Sequence, residues 1–348
     1  MSEMNYNFYS RLLHQLALGS SLFGEAVFDL EAMVYGSKTR DVSKGNHVFV
    51  AGLARAGTTI LMRQLYQTGT FCSLTYRNMP FVLAPNLWCG FTKYSRRKKP
   101  AEERSHGDGI FIDYDSPEAF EEVFWRIFCG SDYIQPDKLS VMHADKETTA
   151  KFRLYVALIL KDHSDKRYLS KNNNNILRLD SIARAFPNAT ILIPFREPVQ
   201  HVFSLIKQHT RFIEQHNIDT FSRKYMAWLV HHEFGSDHRP FDFNDVTNHD
   251  WHVSDPNYWL RLWVNTYSYI LSALPPRAIP LSYEQLCDTT DRVWDQLTKR
   301  IDISPDCLPS PFQKSYRPAT LPLLPSLQRQ AQKLHEELLA QSNQLLYQ

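Results

Sequence analysis

Apolar and polar positions follow two spacings along the chain, and these spacings predict helices and buried strands. Leucines and phenylalanines recur at helical intervals over residues 5–35, which predicts one or two amphipathic helices. Nearly continuous apolar runs follow at HVFVAG (47–52), TILIPF (190–195) and RAIPLS (277–282). Short runs of this kind are typical of strands that are buried on both faces.

Helices are predicted between and after these strands. The stretch DSPEAFEEVFWRIF begins with Asp115 or Ser116 as a cap and Pro117 in the first turn, which is typical of a helix start. The basic run at 96–109 is predicted to be a surface loop, and the stretch 210–257, rich in His, Asp and Asn, is predicted to loop over the site. The predicted helices after the N-terminal ones cover 58–68, 115–128, 150–165, a short segment before 190, a segment that opens at Pro198, 256–273, 285–300 and 326–347.

Strands and helices alternate most clearly over 167–209, and this progression predicts a parallel sheet covered by helices. We therefore expect an α/β fold, a single P-loop-type domain with a central mainly parallel sheet flanked by helices. Its expected bounds are 46–304, with an N-terminal helical extension at 1–45 packed on it and a C-terminal basic loop and helix at 305–348.

Composition narrows the possible functions only slightly. The 348 residues carry a formal net charge of +2, which gives no reason to expect nucleic acid as a partner, so any anion site must be local. The five cysteines show no C-x-x-C spacing, so neither a zinc site nor a disulfide framework is expected, and a reducing compartment fits best. No apolar run approaches the roughly 20 residues of a membrane span. We expect a cytoplasmic protein without a membrane span.

A glycine-bracketed loop follows the first predicted strand. Gly52 and Gly57 enclose LARA, and two threonines follow, which gives G-x-x-x-x-G-T-T. Backbone N–H groups of such a loop and of the next helix converge on an oxyanion. Nucleotide-binding loops of the Walker type carry a lysine after the second glycine, but Thr58 stands there, while Arg55 lies inside the loop. A guanidinium binds a tetrahedral anion in bidentate fashion, so the loop suits a compact anion better than a triphosphate with magnesium. The alternative is a plain strand-to-helix turn.

A second anion-binding candidate lies at the end of the strand TILIPF. Arg196 emerges at the strand end, where open α/β sheets bind ligands, Pro198 opens a helix, and Ser204 lies about two turns along it. Taken alone, this segment also fits a capped turn with a solvated arginine.

Together the two segments resemble the sulfotransferases that use 3′-phosphoadenosine 5′-phosphosulfate (PAPS). That family binds the 5′-phosphosulfate with a strand–loop–helix whose motif matches Arg55, Gly57, Thr58 and Thr59, with Ala56 at its variable position. Its 3′-phosphate site, an arginine followed eight residues later by a serine, matches Arg196 and Ser204. Motif order over 46–304, including the Y-E-x-L turn after the last strand, is similar as well. The resemblance implies PAPS as donor, the 3′,5′-bisphosphate (PAP) as product and no required metal.

The resemblance also suggests further site residues. Lys171 is a candidate cation near the 5′ end, with a solvated loop charge as the alternative, and Lys314 and Arg317 fall where relatives place a basic loop against the 3′-phosphate. Many relatives have a His or Glu base after the second strand, and the corresponding stretch CSLTYRNMPF has neither. His106 is our first candidate for the base, because imidazole titrates near neutral pH. The other candidates for the base or for groups near the substrate are Asp108, Asp113, Asp115, Tyr76 and Arg77.

Two alternatives to a PAPS-dependent sulfotransferase remain at this stage. A P-loop nucleotide or small-molecule kinase predicts a lysine at the position of Thr58, and a non-catalytic nucleotide-binding protein predicts donor-site residues without turnover. The acceptor is expected to be a small molecule, a carbohydrate or another compound with a hydroxyl or amine. A homodimer is possible.

Overall fold

The computed structural model describes residues 8–92, 102–103, 111–243, 252–304, 312–313 and 320–347. The strands are β1 (Val48–Val50), β2 (Phe71–Cys72), β3 (Glu102–Glu103), β4 (Phe111–Ile112), β5 (Leu139–Ser140), β6 (Arg167–Lys171), β7 (Thr190–Phe195), β8 (Phe241–Asp242) and β9 (Ala278–Ser282). The centre of the fold is a five-stranded sheet with the strand order β2-β6-β1-β7-β9, in which all neighbouring strands pair in parallel. Two smaller two-stranded sheets pair β3 with β4 and β5 with β8.

Helices cover both faces of the central sheet, so the predicted α/β architecture with a parallel sheet is confirmed. The helices are α1 (Phe8–Leu18), α2 (Ser21–Tyr35), α3 (Thr58–Gln67), α4 (Pro85–Thr92), α5 (Glu122–Tyr133), α6 (Lys146–Ile159), α7 (Leu179–Ala185), α8 (Pro198–Ile218), α9 (Thr220–Trp228), α10 (Pro256–Ser272), α11 (Tyr283–Asp288), α12 (Thr290–Arg300) and α13 (Pro325–Tyr347). A 3-10 helix, Asn173–Arg178, joins β6 to α7. None of the described helices has the length and hydropathy needed to cross a membrane.

Alternate residues of the central strands belong to two different hydrophobic cores. In β1, Phe49 packs into one core, whereas Val48 and Val50 pack into the other. Successive side chains of a strand point to opposite faces of a sheet, and both faces of this one are covered. This is why the strands read as continuous apolar runs in the sequence.

The terminal helices pack against the elements around them. Helix α2 contacts α5, α4 and α6, and its Glu31 carboxylate accepts hydrogen bonds from the backbone N–H groups of Asn86 and Leu87, both at 3.0 Å. Helix α13 lies against β9, α10 and α12. The C-terminal helix therefore supports the strand at one edge of the sheet.

The helix predicted at 115–128 begins later than its sequence indicates. Pro117 forms an antiparallel bridge with Thr75, and the N–H of Glu118 donates to the carbonyl of Leu74 at 3.2 Å. These contacts hold the segment extended, so neither Asp115 nor Ser116 caps a helix, and α5 begins at Glu122.

Two other helix predictions are corrected. The stretch 210–257 is not all loop, because α8 continues to Ile218 and α9 follows it directly. The helix predicted at 285–300 is two helices, α11 and α12, with the break at Thr289.

Candidate active site

The carboxyl ends of four neighbouring strands meet at one edge of the central sheet. Val50 of β1 pairs with Lys171 of β6 on one side and with Leu192 of β7 on the other. Within the central sheet, β2 and β6 lie on one side of β1, and the later β7 and β9 lie on the other side. The end of β1 is thus the point where the chain changes direction across the sheet, and open α/β sheets bind ligands at such points.

The loop after β1 has a strained, closely packed backbone. Arg55 has a φ of +71° and Gly57 a φ of +96°, both in the left-handed region. A Cβ at Gly57 would lie 2.4 Å from the Tyr283 ring, and one at Gly52 would lie 3.0 Å from the Pro194 carbonyl. The positive φ and the Tyr283 ring favour glycine at 57, and a Cβ at Gly52 would be in tight contact with the Pro194 carbonyl. Helix α3 begins directly after the loop, where a helix presents its first N–H groups.

Helix α8 holds this loop from the side. His201 Nε2 is 2.8 Å from the Ala54 carbonyl oxygen. Burial lowers the pKa of His201 to about 3, so the ring is neutral and donates its Nε2–H to that carbonyl. Arg196, just before α8, adds a longer contact from its Nη1 to the Arg55 carbonyl oxygen at 3.4 Å. The loop conformation consequently depends on the segment that carries the second candidate anion site.

The structure places the two predicted anion-binding segments together. The Nε–H of Arg55 donates to the Oγ of Ser204 at 3.3 Å, although 149 residues separate them. Thr58 and Thr59 form the first turn of α3 beside Gly57, and Ala56 is buried. The predicted residues Arg55, Ala56, Gly57, Thr58, Thr59, Arg196 and Ser204 therefore lie at one sheet edge.

Two residues after β9 complete the surroundings of Arg196. The Arg196 guanidinium lies over the Tyr283 ring, 5.4 Å from its centroid, and its Nε is 3.8 Å from a carboxylate oxygen of Glu284. The same Glu284 oxygen accepts the N–H of Glu197 at 3.1 Å. The Arg196 side chain is only 11% exposed. These contacts orient the guanidinium, and both residues lie in the Y-E-x-L turn of the sequence.

Lys171 is buried at a strand end, so the alternative that it is a solvated loop charge is wrong. It is the last residue of β6, its side chain is 6% exposed, and its Nζ lies 3.7 Å from a carboxylate oxygen of Glu118. The next residue, Asn172, donates its N–H to the Val50 carbonyl at 3.0 Å. A buried cation at the end of β6 therefore stands next to the strand that leads into the loop.

A polar chain extends from the loop helix to residues that the sequence did not single out. Thr58 Oγ1 donates to Asn173 Oδ1 at 3.4 Å, and Asn173 Nδ2 donates to Glu233 Oε1 at 2.7 Å. The other oxygen of Glu233 is 3.6 Å from His231 Nδ1. Their only sequence signal was the density of His and acidic residues in HHEFGSDH (231–238).

The charges in this chain are coupled. Burial raises the pKa of Glu233, but hydrogen bonds from His231 and Asn173 and the charge of His231 outweigh it and lower that pKa to about 2. Burial lowers the pKa of His231, but the hydrogen bond and charge of Glu233 outweigh it, so that pKa is raised above its usual value. Glu233 is thus a carboxylate at neutral pH, and its charge favours the protonated form of His231.

The remaining sequence candidates fall into two groups. His106, Asp108, Lys314 and Arg317 lie outside the described residues. Asp115 forms a bidentate ion pair with Arg77, and Asp113 accepts the hydroxyl of Ser116 at 2.8 Å. Tyr76 is buried against Phe120, with ring centroids 5.0 Å apart. Within the described ranges, no cluster of three His, Cys, Asp or Glu residues is arranged to hold a metal ion.

A comparison with protein-family profiles matches most of the chain to one family. A family profile described as Sulfotransferase family matches residues 47–306. Among solved structures, sulfotransferase STF1 from Mycobacterium tuberculosis H37Rv is similar with a TM-score of 0.48 at 14% identity, over 98% of this chain and 85% of that one. Sulfotransferase STF9 from Mycobacterium avium is similar with a TM-score of 0.47 at 12% identity, over 97% and 79% of the two chains. A comparison with curated protein sequences finds no match.

Proposed function

Since the chain belongs to the sulfotransferase family, we propose that it transfers a sulfuryl group from PAPS to a hydroxyl or amine acceptor. The observation that carries this proposal is the contact of the loop Arg55 with Ser204 and of Arg196 with the loop backbone. PAPS has one phosphate bridged to sulfate and another on the ribose, so it needs two anion sites a short distance apart. A small-molecule or carbohydrate acceptor fits the family.

The hydrogen-bond donors in the described part of the site fit this nucleotide. Two guanidinium groups and the hydroxyls of Thr58, Thr59 and Ser204 line the edge, and the loop itself contains no carboxylate. Thr58 stands where a triphosphate-binding loop has its lysine. We assign Arg55, Thr58, Thr59 and the loop amides to the 5′-phosphosulfate, and Arg196 and Ser204 to the 3′-phosphate. From the sequence, Lys314 and Arg317 are proposed as further 3′-phosphate contacts.

Catalysis in this proposal depends on charge and position. Sulfuryl transfer resembles phosphoryl transfer, in which nucleophile and leaving oxygen are in line and negative charge grows on the leaving group. Arg55 and the buried Lys171 supply fixed positive charge beside that leaving phosphate, and a preorganised charge stabilises a transition state without reorganisation at the moment of reaction. His106 stays a sequence-based proposal for the base.

The kinase alternative and the non-catalytic alternative are tested in two steps. Calorimetric titration with PAP and, separately, with ATP and Mg²⁺ distinguishes a sulfotransferase from a kinase, and we expect binding of PAP alone. Transfer of labelled sulfate from PAPS to a panel of alcohols, phenols, sugars and amines distinguishes an enzyme from a binding protein. Binding of ATP–Mg²⁺ with no affinity for PAP contradicts the proposal.

Arg196→Ala is the variant that tests the second anion site. We expect PAP affinity to fall by about 1.5–3 kcal/mol, which is typical of the loss of a hydrogen bond to a charged group. Calorimetry with PAP measures this loss. Arg184→Ala, which removes an exposed arginine paired with Asp180 on α7, is the control and should leave PAP affinity unchanged. Equal affinities of the wild type and Arg196→Ala contradict the assignment.

A further inference from the structure

We propose that His231 is the general base that removes the proton from the acceptor, and that Glu233 and Asn173 position it; this rests on the proposed function. The starting observation is the polar chain described above, which runs from Thr58 of the loop helix through Asn173 and Glu233 to His231. It connects an imidazole through Glu233 and Asn173 to the proposed sulfate-binding loop.

The orientation of His231 suits a base. Its Nδ1 faces a Glu233 oxygen at 3.6 Å, which leaves Nε2 as the second ring nitrogen. In the part of the chain that the structure describes, no side chain is hydrogen-bonded to this Nε2. The His231 side chain is 23% exposed, whereas those of Glu233 and Lys171 are 11% and 6% exposed. The imidazole is therefore the most accessible member of a largely buried polar group.

The charged groups around His231 favour His231 as the proton acceptor and Glu233 as the group that positions it. Glu233 lies on one side, while Lys171 lowers and Glu118 raises the histidine pKa through their charges. A carboxylate that is already bound by Asn173 and His231 is a poor proton acceptor, and a carboxylate at Nδ1 fixes the ring and stabilises the imidazolium that forms. The charge of Lys171 also acts on His231, so the proposed base lies near the cation that we assign to the leaving phosphate.

The reaction step balances with these groups. The acceptor O–H proton passes to Nε2 of His231, and a bond forms between the acceptor oxygen and the donor sulfur. The bond from that sulfur to the bridging 5′-phosphate oxygen breaks, and its electron pair leaves with the phosphate, whose new charge faces Arg55 and Lys171. No oxidant or further reactant is needed.

His231→Gln tests the base itself. Removal of a general base costs typically 10²–10⁴-fold in rate, so we expect transfer from PAPS to an aliphatic alcohol to fall by at least about 100-fold. The loss should be smaller with an acidic phenol, which is already partly ionised. Affinity for PAP, measured by calorimetry, should stay within about twofold of the wild type, since the donor site keeps all its charges. His143→Gln, at an exposed histidine beside Asp180, is the matched control and should react like the wild type.

Glu233→Gln and Asn173→Ala test the positioning roles by a readout other than the rate alone. Removal of the Glu233 charge should lower the pKa of His231, because that carboxylate raises it. The acid limb of the pH–rate profile should then move to lower pH. NMR titration of the His231 ring measures the same shift without any acceptor, and Asn173→Ala, which keeps the Glu233 charge, should change that pKa less than Glu233→Gln does.

The possible failures are distinct. A wild-type protein that does not bind PAP and forms no sulfated product contradicts the proposed function. Normal PAP binding and transfer with an unimpaired His231→Gln variant overturn the inference alone, and so does a His106→Gln variant that alone abolishes transfer. An imidazole of His231 that does not titrate between pH 4 and 9 also overturns it, whatever the acceptor.

Discussion

Gly57 illustrates at the scale of one residue how sequence and site depend on each other. Its φ of +96° is in the left-handed region, and the Tyr283 ring occupies the space that a Cβ would need. Tyr283 also lies under the Arg196 guanidinium. A side chain at 57 would therefore disturb both the loop and the surroundings of Arg196, where we propose the second anion site.

Gly57→Ala should weaken PAP binding at least about tenfold and lower the free energy of unfolding. The left-handed backbone costs a non-glycine residue roughly 1–2 kcal/mol, and displacement of the Tyr283 ring adds to that cost. Gly69→Ala is the control, because Gly69 has a φ of +76° but a Cβ there meets no described atom within 4 Å. Urea unfolding should show the backbone cost in both variants, and calorimetry a PAP defect in Gly57→Ala only. A normal PAP affinity in Gly57→Ala would contradict the role of this contact.

At the scale of elements, a buried ion pair joins α5 to the 3-10 helix that follows β6. Arg178 Nη2 and the Asn172 side-chain amide both donate to Glu122 Oε2, and Tyr133 donates its hydroxyl to the other oxygen. The Arg178 guanidinium also lies 4.9 Å from the centroid of the Trp125 ring. Asn172 directly follows Lys171, so this cluster fixes the strand end that presents the buried lysine.

Arg178→Ala should lower the free energy of unfolding by about 3–5 kcal/mol, because it leaves the Glu122 carboxylate buried without its partner. Arg184→Ala on the adjacent helix removes an exposed ion pair and should cost no more than about 1 kcal/mol. Urea denaturation of the three proteins measures the difference. Similar midpoints for the two variants would show that the buried pair does not stabilise the fold.

Elements that depend on a local sequence pattern were predicted correctly, whereas elements that depend on long-range contacts were not. The strands around Phe49 and Ile191 were predicted from the sequence, since burial on both faces leaves a local apolar pattern. The start of α5 was not, because the bridge between Thr75 and Pro117 is a long-range contact that overrides a good local helix signal. The site divides in the same way. Arg55, Arg196 and Ser204 lie in local motifs, but His231 reaches the site only by tertiary packing after α9.

At the scale of the whole molecule, buried neutral histidines make stability depend on pH. Burial lowers the pKa of His47, His232 and His238 to about 4 and that of His201 to about 3. The unfolded chain protonates these rings near pH 6.5, so it binds more protons than the folded protein below that value. Their contribution to stability is complete above about pH 6.5 and is lost as the pH falls toward 4.

We therefore expect the urea midpoint to fall steeply between pH 7 and pH 5. Each such histidine contributes up to about 1.4 kcal/mol per pH unit over this range. The raised pKa values of His231 and of the buried Glu121 act in the opposite direction, but the four lowered histidines outnumber them. His47→Asn should reduce the slope, while the exposed His143→Gln should not change it. A midpoint independent of pH over this range contradicts the prediction.

Helix α8 contacts the loop at two points, through His201 at the Ala54 carbonyl and through Ser204 at the Arg55 side chain. Helix α8 therefore holds the proposed partners of the two ends of a bisphosphorylated nucleoside in fixed positions relative to each other. A molecule seated at one end has its other end already at high effective concentration. An inhibitor that carries both phosphates should for this reason bind more tightly than the combined affinities of adenosine 3′-phosphate and adenosine 5′-phosphate suggest.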